Sequence, residues 1–328
     1  MAVKLTDVAE RAGVSATTVS RVINNYGYLS QKTIDKVHQA MADLNYQPNQ
    51  LARSLQGKGT QLIGVIMPSV AHPFYGDLVD RIENLLSQRD YRMILCDSAD
   101  DPDKEKAYLR MLVANQVDGI IAGAHNLGIE EYQTIQAPVV SFDRYLSDRI
   151  PIVGSDNYQG GELASRLLVD KGCQKIACLT GSLASDSPTN DRLAAYEAVM
   201  AEAGLVKQVY SFLPSQSPLV KRSEIKRLLS QEDWDGVFCT DDLTALLVYQ
   251  EAQALGLRLP ADLKLVGYDG SRLMRDYFPY LTTIVQPIAA CAEQLVHLVL
   301  DQPDRHRGGA DTVSNYKYPV SVWTGSTV

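Results

Sequence analysis

This sequence has no long apolar run and few cysteines. No stretch approaches the roughly 20 consecutive apolar residues that a membrane-spanning helix needs. No apolar run follows a basic start, so we expect neither a membrane contact nor an export signal. The five cysteines are odd in number and scattered, and each lies in or beside an apolar run: Cys96, Cys173, Cys178, Cys239 and Cys291. We therefore expect reduced core residues of a cytoplasmic protein, without a metal or redox role.

The sequence also lacks the short motifs of several large enzyme classes. It contains no G-x-x-x-x-G-K-[ST] loop for phosphates, no G-x-G-x-x-G after a predicted strand, and no G-x-S-x-G nucleophile turn. We expect a protein that is not an enzyme and that uses neither a cofactor nor a metal ion.

Positive charge is in deficit over the whole chain but not at its start. The chain has 31 Lys and Arg against 39 Asp and Glu, a net charge of −8. Residues 1–58 hold seven Lys or Arg and four Asp or Glu, a net of +3, whereas the remainder carries −11. A small basic segment on an acidic body is typical of a DNA-binding module joined to a part that does not contact DNA.

Residues 6–25 predict two short helices joined by a tight turn. Thr6 is the expected N-cap of the first helix, Gly13 supplies the positive φ of the turn, and Ser15 caps the second helix. Helical spacing predicts an inward apolar face formed by Val8, Ala9, Ala12, Val14, Val19, Val22 and Ile23.

The outward face of the second helix lacks the Glu and Lys of an ordinary solvated surface. It carries small or hydrogen-bonding residues: Ala16, Thr17, Thr18, Ser20, Arg21 and Asn24. Such a face is suited to the major groove of DNA. The alternative is an ordinary helical hairpin that packs against another part of the chain.

A third helix and a short linker segment follow. Ser30 is the expected N-cap of the third helix, whose apolar face closes the small core with Ile34, Val37, Met41 and Leu44. Residues 49–55 predict a helix too short to be stable alone in water. Two interpretations stay open. The segment is a plain linker, or it is a hinge helix that forms on DNA, where Leu55 would enter a minor-groove base step and kink the duplex.

From Gln61 onward, strand-like apolar runs alternate with helical patterns. The predicted strands are 62–67, 92–96, 119–122, 139–142, 152–153, 175–179, 237–239, 263–267, 282–285 and 318–323. The predicted helices include 75–89, 104–115, 161–171, 193–203, 242–255 and 288–300. This alternation predicts an α/β fold with parallel sheets and helices on both faces. Ten strands are too many for one small sheet, so we expect two doubly wound lobes.

Polar side chains follow the predicted strands, at the edge where open α/β sheets bind ligands. They include Asp97, Asp143, Arg144, Asp156, Asp241, Asp242 and Asp269, and Arg192 follows a Ser/Thr/Asn-rich loop. Carboxylates and Arg can each engage two neighbouring hydroxyls while an aromatic ring covers the apolar face of a sugar, so these residues predict a sugar site. For each aspartate, and above all for Asp156 and Asp242, the alternative is a helix N-cap.

Several motifs resemble the lactose-repressor/galactose-repressor (LacI/GalR) family. V-A-x-x-A-G-V-S-x-x-T-V-S-R-V-I-N at 8–24 resembles the family's DNA-binding unit, and Y-x-P-N-x-L-A-R-S-L at 46–55 resembles its hinge. The body resembles the family's two-lobed effector domain, which is itself similar to periplasmic sugar-binding proteins. The matching stretches are H-P-F-Y (72–75), F-D-R (142–144), S-D-N (155–157), Arg192, D-D-x-x-A (241–245), G-Y-D-G (267–270) and L-T-T-I-x-Q-P (281–287).

The resemblance implies three parts: an all-α helix-turn-helix domain at 1–46, a hinge at 47–59, and an effector-binding and dimerisation domain at 60–328. The N-lobe would span about 60–157 and 286–312, and the C-lobe about 158–285 and 313–328. A homodimer would place its second helices in successive major grooves of a palindromic double-stranded operator.

The resemblance also implies roles for residues at the DNA. The expected base contacts are Ala16, Thr17 and Arg21, and the expected phosphate contacts are Ser15, Thr18, Asn24 and Thr33. Further DNA contacts are Thr6, Asn49 and Ala52, with Leu55 as the wedge.

The cleft between the lobes would close on a sugar or a nucleobase and so separate the paired hinges. Its expected lining is Phe74, Asp143, Arg192, Asp241 and Asp269. One position departs from the family, which usually has Asn where this chain has Asp241. Because an ionised carboxylate only accepts hydrogen bonds, the ligand should offer hydroxyls there and not a phosphate.

Within the family, the chain most resembles the sucrose-operon repressors of Gram-positive bacteria. The shared stretches are N-Y-G-Y-L-S-Q-K-T-I (25–34), I-G-V-I-M-P (63–68), N-Q-V-D-G-I-I (115–121) and H-N-L-G-I (125–129). This implies a small-molecule sugar effector: sucrose, fructose or a phosphorylated derivative. Two alternatives remain, a sugar-metabolising enzyme and a transport-linked sugar-binding protein of the same α/β fold.

Overall fold

The chain folds into two compact units. The computed structural model describes residues 3–24, 26–47, 59–99, 101–124, 126, 128–181, 187–213, 216–301 and 314–328. The units are Met1–Thr60 and Gln61–Val328, which we call the N-terminal unit and the body.

The described part of the N-terminal unit contains three helices, α1 Leu5–Ala12, α2 Ala16–Ile23 and α3 Gln31–Asp43. The predicted cap of α1 is wrong, because Thr6 lies inside the helix and Lys4 occupies the N-cap position. The Lys4 backbone N–H donates to Asp7 Oδ2 at 2.8 Å. A carboxylate three residues beyond the cap can satisfy the cap's own N–H, so this helix starts without a hydroxyl cap.

The turn and the other two caps are confirmed. Gly13 has a φ of 67°, a conformation that glycine adopts without steric cost. Ser15 Oγ accepts from the Thr18 N–H at 3.1 Å, and Ser30 Oγ accepts from the Thr33 N–H at 3.3 Å. The buried core that joins the three helices consists of Val8, Ala9, Ala12, Val19, Val22, Val37 and Ala40.

The body alternates strands and helices, as the apolar periodicity predicts. The described strands are β1 Leu62–Met67, β2 Arg92–Asp97, β3 Gly119–Ala122, β4 Val139–Phe142, β5 Ile152–Ser155, β6 Ile176–Thr180, β7 Gln208–Ser211, β8 Gly236–Cys239, β9 Lys264–Asp269, β10 Thr282–Val285, β11 Tyr316–Tyr318 and β12 Ser321–Trp323. The helices are α4 Pro73–Ser87, α5 Pro102–Ala114, α6 Asn157–Asp170, α7 Asp191–Glu202, α8 Pro218–Gln231, α9 Asp242–Ala254, α10 Arg272–Tyr277 and α11 Ile288–Asp301. Short 3-10 turns lie at Glu130–Gln133 and Pro188–Asn190.

The strands form two six-stranded sheets of matching topology. Their orders are β11-β5-β4-β3-β1-β2 and β12-β10-β9-β8-β6-β7. All neighbouring pairs are parallel except β10 and β12, which are antiparallel. In each sheet the first strand of the lobe lies between the second and the third, so each sheet has a switch point at which α/β folds bind ligands.

The two sheets define an N-lobe and a C-lobe, which the chain joins by three crossings. The first crossing is at Asp156, the second at Gln286 and Pro287, and the third at Pro319 and Val320. The expected strand at 318–323 is wrong, since Tyr318 ends β11 in the N-lobe sheet and Ser321 begins β12 in the C-lobe sheet. The assignment of 313–328 to the C-lobe alone is therefore also corrected. Pro319 has no N–H for a strand ladder, which accounts for the break.

Each sheet buries both faces under helices. In the N-lobe, Ile63 and Val65 pack against α4 and α11, while Ile66 and Ile120 face the side covered by α5. The C-lobe sheet is enclosed in the same way by two clusters. The five cysteines are buried and form no disulfide, as expected. No helix among the described residues combines the length and apolarity needed to cross a bilayer.

Candidate functional site

The outward face of α2 and the helix starts beside it form the candidate DNA-binding surface. Ser15 and Thr17 are exposed, and Thr18 and Thr33 are half-buried. The first turns of α2 and α3 carry no acidic side chain, so their free N–H groups and helix dipoles favour an anion there. Ala16 packs in part against the small core, which leaves only part of its methyl group for a base.

Arg21 lies in the last turn of α2, beside the loop that leads to α3. Its Nε donates to the Tyr26 carbonyl at 3.3 Å. A Cβ at Gly27 would overlap the Arg21 guanidinium, and Gly27 has a φ of +75°. The Arg21 guanidinium can therefore occupy this position because residue 27 has no side chain.

Two other predicted DNA contacts differ in exposure. Thr6 is exposed on the first turn of α1, and its hydroxyl lies 3.4 Å from Asp7 Oδ1. Asn24 is half-buried, and its amide donates to the Ser20 carbonyl at 2.8 Å. The hinge residues Asn49, Ala52 and Leu55 lie outside the described residues.

A cleft of about 400 Å³ lies in the body, where carboxyl ends of strands from both lobes meet. This volume includes the open solvent at the mouth of the cleft. The structure brings together all the residues expected there: Phe74, Asp143, Arg192, Asp241 and Asp269. The cleft is also lined by residues to which the sequence assigns no role: His72, Tyr75, Phe142, Thr189 and Gln286.

One amide links the two lobes at the bottom of the cleft. Asn157 follows the first crossing and is 1% exposed. Its Nδ2 donates to Asp143 Oδ1 of the N-lobe at 2.9 Å, and its Oδ1 accepts from Arg192 Nε of the C-lobe at 2.7 Å. The carboxylate and the guanidinium therefore hold their relative positions through a third residue.

The Arg192 side chain is fixed on several sides. Its Nη1 donates to the Thr240 carbonyl at 2.9 Å, and its Cζ lies 3.7 Å from the centroid of the Tyr268 ring. The nearest carboxylate oxygens, on Asp143 and Asp269, are both 3.9 Å away. Those separations exceed hydrogen-bond distance. Arg192 therefore interacts with both carboxylates through its charge and makes no direct hydrogen bond to either.

Asp269 is tied to two of the three crossings. It ends β9 with a φ of +114°. Gln286 Nε2, at the second crossing, donates to Asp269 Oδ1 at 2.7 Å, and Ser155 Oγ, before the first crossing, donates to Gln286 Oε1 at 2.7 Å. His72 Nε2 lies 4.0 Å from the other oxygen, Asp269 Oδ2. The position of this carboxylate therefore depends on how the lobes are joined.

Asp241 lines the cleft and also caps α9. Its Oδ1 accepts from the Thr244 N–H and its Oδ2 from the Thr244 hydroxyl, both at 2.7 Å. Each carboxylate oxygen has a second lone pair, so the cap leaves Asp241 able to accept from a ligand hydroxyl.

The N-cap alternative holds for Asp156 and fails for Asp242. Asp156 Oδ1 accepts from the Gln159 N–H at 3.0 Å at the start of α6. Asp242 is 1% exposed and accepts from the Gly270 N–H at 2.8 Å and the Thr283 hydroxyl at 2.6 Å. It therefore holds the β9–α10 turn, which carries the neighbouring Asp269.

Burial dominates the electrostatics of the cleft. It raises the pKa of Asp143 to about 6, although Arg192 and the Asn157 hydrogen bond oppose the shift. Burial likewise raises the pKa of Asp269, against the charges of His72 and Arg192. Desolvation destabilises the ionised form of these carboxylates. A ligand whose hydroxyls donate hydrogen bonds to them would offset that destabilisation. No cluster of His, Cys, Asp and Glu fit to hold a metal ion occurs among the described residues.

Comparison with known proteins covers both units. A model of bacterial regulatory proteins of the lacI family matches residues 4–49, and a model of a periplasmic binding protein-like domain matches residues 166–326. A sucrose operon repressor of Pediococcus pentosaceus is 54% identical over 324 residues, covering 99% of this chain and 99% of that protein. A sucrose operon repressor of Streptococcus mutans is 47% identical over 328 residues, covering 100% of both. A solved structure of the lac repressor dimer bound to operator and the anti-inducer ONPF aligns with a TM-score of 0.84 and 30% identity, covering 100% of this chain and 99% of that one.

Proposed function

The chain belongs to the lacI family of bacterial regulatory proteins, and we propose that it represses sucrose-utilisation genes until a sugar binds in its cleft. It is a regulator and not an enzyme. A helix-turn-helix unit and a cleft lined by three carboxylates and one guanidinium occur in the same chain, and this combination is the observation that carries the proposal. Repression takes place in the cytoplasm, where the operator is.

A homodimer binds the palindromic operator through two copies of α2. Arg21 and Thr17 contact bases in the major groove, with a smaller contribution from the half-covered Ala16. Ser15, Thr18 and Thr33 hold phosphates at helix starts that carry no acidic side chain, and Asn24 and Thr6 add contacts at the edge of this surface. The roles of Asn49, Ala52 and Leu55 in the minor groove rest on the hinge motif in the sequence.

The effector is a neutral sugar, with sucrose and fructose as the first candidates. Asp143, Asp241 and Asp269 line the cleft with Arg192, whose Nε and Nη1 are already engaged by Asn157 and Thr240. A phosphate would meet carboxylates on several sides, and Nη2 is the one Arg192 nitrogen without such a bond to the described residues. Hydroxyls, by contrast, can donate to all three acids, and Phe74 and Tyr75 offer apolar surface to a sugar ring.

Sugar and operator oppose each other through linkage. A sugar that draws the lobes together changes the bonds from Asp269 to Gln286 and from Gln286 to Ser155, which lie at the crossings. The coupling free energy between two such sites is typically about 1–3 kcal/mol, so saturating sugar should weaken operator binding by a factor of about 5 to 150.

Electrophoretic mobility shifts with operator DNA test the proposal. Sucrose or fructose should release the wild-type protein, and Asp269→Ala should bind operator but resist release. Asp233→Ala is the matched control, because Asp233 lies in the same lobe with its side chain 91% exposed, and it should respond as the wild type does. If sucrose, fructose and their phosphates all fail to weaken operator binding by the wild type at any concentration, the proposal of a sugar inducer is refuted.

A further inference from the structure

We infer that Asn157 is a positioning residue of the effector site, whose amide selects the atoms of Asp143 and Arg192 that meet the sugar. The inference rests on the sugar-binding function proposed above and assigns to Asn157 the geometry on which that function depends. Asn157 does not line the cleft itself and acts through the two residues that do.

The hydrogen-bond directions follow from elementary chemistry. A guanidinium only donates, so the Asn157 atom that faces Arg192 Nε at 2.7 Å is the oxygen Oδ1. Nδ2 then faces Asp143 Oδ1 at 2.9 Å and must donate to it. The Tyr268 hydroxyl, 3.4 Å from Asn157 Oδ1, supports the same orientation of the amide. Asp143 Oδ1 thereby accepts one hydrogen bond, whereas Oδ2 accepts none from the described residues and is the oxygen more open to a ligand.

Arg192 Nη2 and Asp143 Oδ2 have no hydrogen bond to the residues that the structure describes, and their separation suits one hydroxyl. Arg192 Nη2 and Asp143 Oδ2 are 3.9 Å apart, too far for a mutual hydrogen bond. A sugar hydroxyl placed about 2.8 Å from each could accept from Nη2 and donate to Oδ2. Asn157 maintains this separation, because it binds Nε of the Arg192 guanidinium and Oδ1 of the Asp143 carboxylate.

The Asn157 amide suits this position because it offers a donor to Asp143 and an acceptor to Arg192. Asn157 is the first residue of α6, and its side chain spans from an N-lobe acid to a C-lobe base while 1% exposed. Aspartate would replace the donor by an acceptor beside Asp143, and alanine would remove both bonds. Either change leaves Asp143 less stabilised in its ionised form, which is the form that accepts from a hydroxyl.

The charged groups around Asp143 determine how a substitution at Asn157 should change the pKa of Asp143. The titratable and charged groups that act on Asp143 are Arg192 and Asp191 on α7, Tyr268 and Asp269 on β9, and Cys291 on α11. Arg192 is the single cation in this set. Removing the Asn157 donor should therefore raise the pKa of Asp143 further, since burial and the neighbouring acid act in the same direction.

The test is the pH dependence of sugar affinity, measured by titration calorimetry on the full-length protein with sucrose and fructose as probes. In the wild type the affinity should fall as the pH drops through about 6. In Asn157→Asp the midpoint should move up by at least about one pH unit, because two carboxylates then share the site. For a shift of about one unit, affinity at pH 6 should be about fivefold lower than in the wild type and should recover at high pH. Asn157→Ala should move the midpoint in the same direction by less.

Gln159→Glu is the matched control, since it adds a carboxylate on the same turn of α6 and keeps the acceptor for the Val320 N–H, now at 3.0 Å. It should leave the midpoint in place. If Asn157→Asp does not fold, as judged by cooperative unfolding, Asn157→Ala decides alone. Unshifted midpoints, or an equal loss at every pH, overturn the inference while wild-type sugar binding stands. If the wild type binds neither probe, the sugar function itself fails, and the inference fails with it.

Discussion

Replacing Glu105 by alanine should destabilise the N-lobe far more than removing an exposed ion pair would. Glu105 lies on α5 and is fully buried. Its carboxylate accepts from Asn126 Nδ2 at 2.7 Å, the Tyr132 hydroxyl at 2.7 Å and Arg144 Nη1 at 3.2 Å. Arg144 is itself buried and also donates to the Ala124 carbonyl. The Glu105→Ala substitution thus leaves a guanidinium without a counter-charge and two neutral donors without an acceptor.

The size of the effect follows from burial. Removing one partner of a buried ion pair costs about 3–5 kcal/mol, because the remaining charge stays desolvated. The unpaired Asn126 and Tyr132 donors are part of the same loss, so we do not add them separately. The exposed pair of Arg81 and Glu293 has a similar N–O distance, 2.8 Å, but its side chains are 46% and 57% exposed. Such a pair contributes about 0–1 kcal/mol.

Urea unfolding of the full-length chain, followed by far-ultraviolet circular dichroism, measures both effects. Glu105→Ala should lose about 3–5 kcal/mol, Glu293→Ala at most about 1 kcal/mol, and Glu105→Gln an intermediate amount because it keeps one acceptor. Hydrogen exchange should locate the loss in the N-lobe. Equal losses for Glu105→Ala and Glu293→Ala would show that the buried network is not a source of stability and would refute the reasoning.

Three further predictions follow from single contacts. Arg21→Ala should lower the preference for operator over random DNA by about 1–3 kcal/mol, measured by competition binding; an equal loss on both DNAs would identify a phosphate contact. Gly27→Ala should weaken operator binding, because a Cβ overlaps the Arg21 guanidinium; in an Arg21→Ala background the further loss should be much smaller. Burial raises the pKa of Asp143 from 3.8 to about 6, so its ionisation costs the native state stability above pH 6 and not below pH 4. Asp143→Asn should therefore raise the unfolding free energy at pH 7 by on the order of 2–3 kcal/mol, and the gain should disappear at pH 4; a gain that is the same at both pH values would contradict this.

Fully buried strands are predictable from sequence, whereas a short edge strand with polar ends, such as β7, is not. β3 and β8 consist of apolar or small residues that are all buried, so the run of apolar letters marks them. β7 is absent from the predicted strands, because it is an edge strand with half-exposed side chains and polar residues at both ends. The division of the last segment into β11 and β12 depends on which sheet each half joins, and no local pattern carries that information.

The same distinction applies to the cleft. Asp143, Asp241 and Asp269 are predictable because the carboxyl ends of parallel strands converge. The roles of Asn157 and Gln286 depend on partners that come from the opposite lobe or from another crossing. The S-D-N motif includes Asn157, but nothing in that motif shows that the Asn157 amide bonds to both Asp143 and Arg192.

The three crossings also bear on how proteins of this architecture can be recombined. Each lobe is assembled from separate stretches of chain, and β11 and β12 give one edge strand to each sheet from eight consecutive residues, Tyr316 to Trp323. A single genetic exchange within the body therefore mixes strands of both lobes, and neither lobe can be inherited alone. The junction at Thr60 and Gln61 is different, since everything before it belongs to one unit. One crossover there can give an existing sugar sensor a new operator.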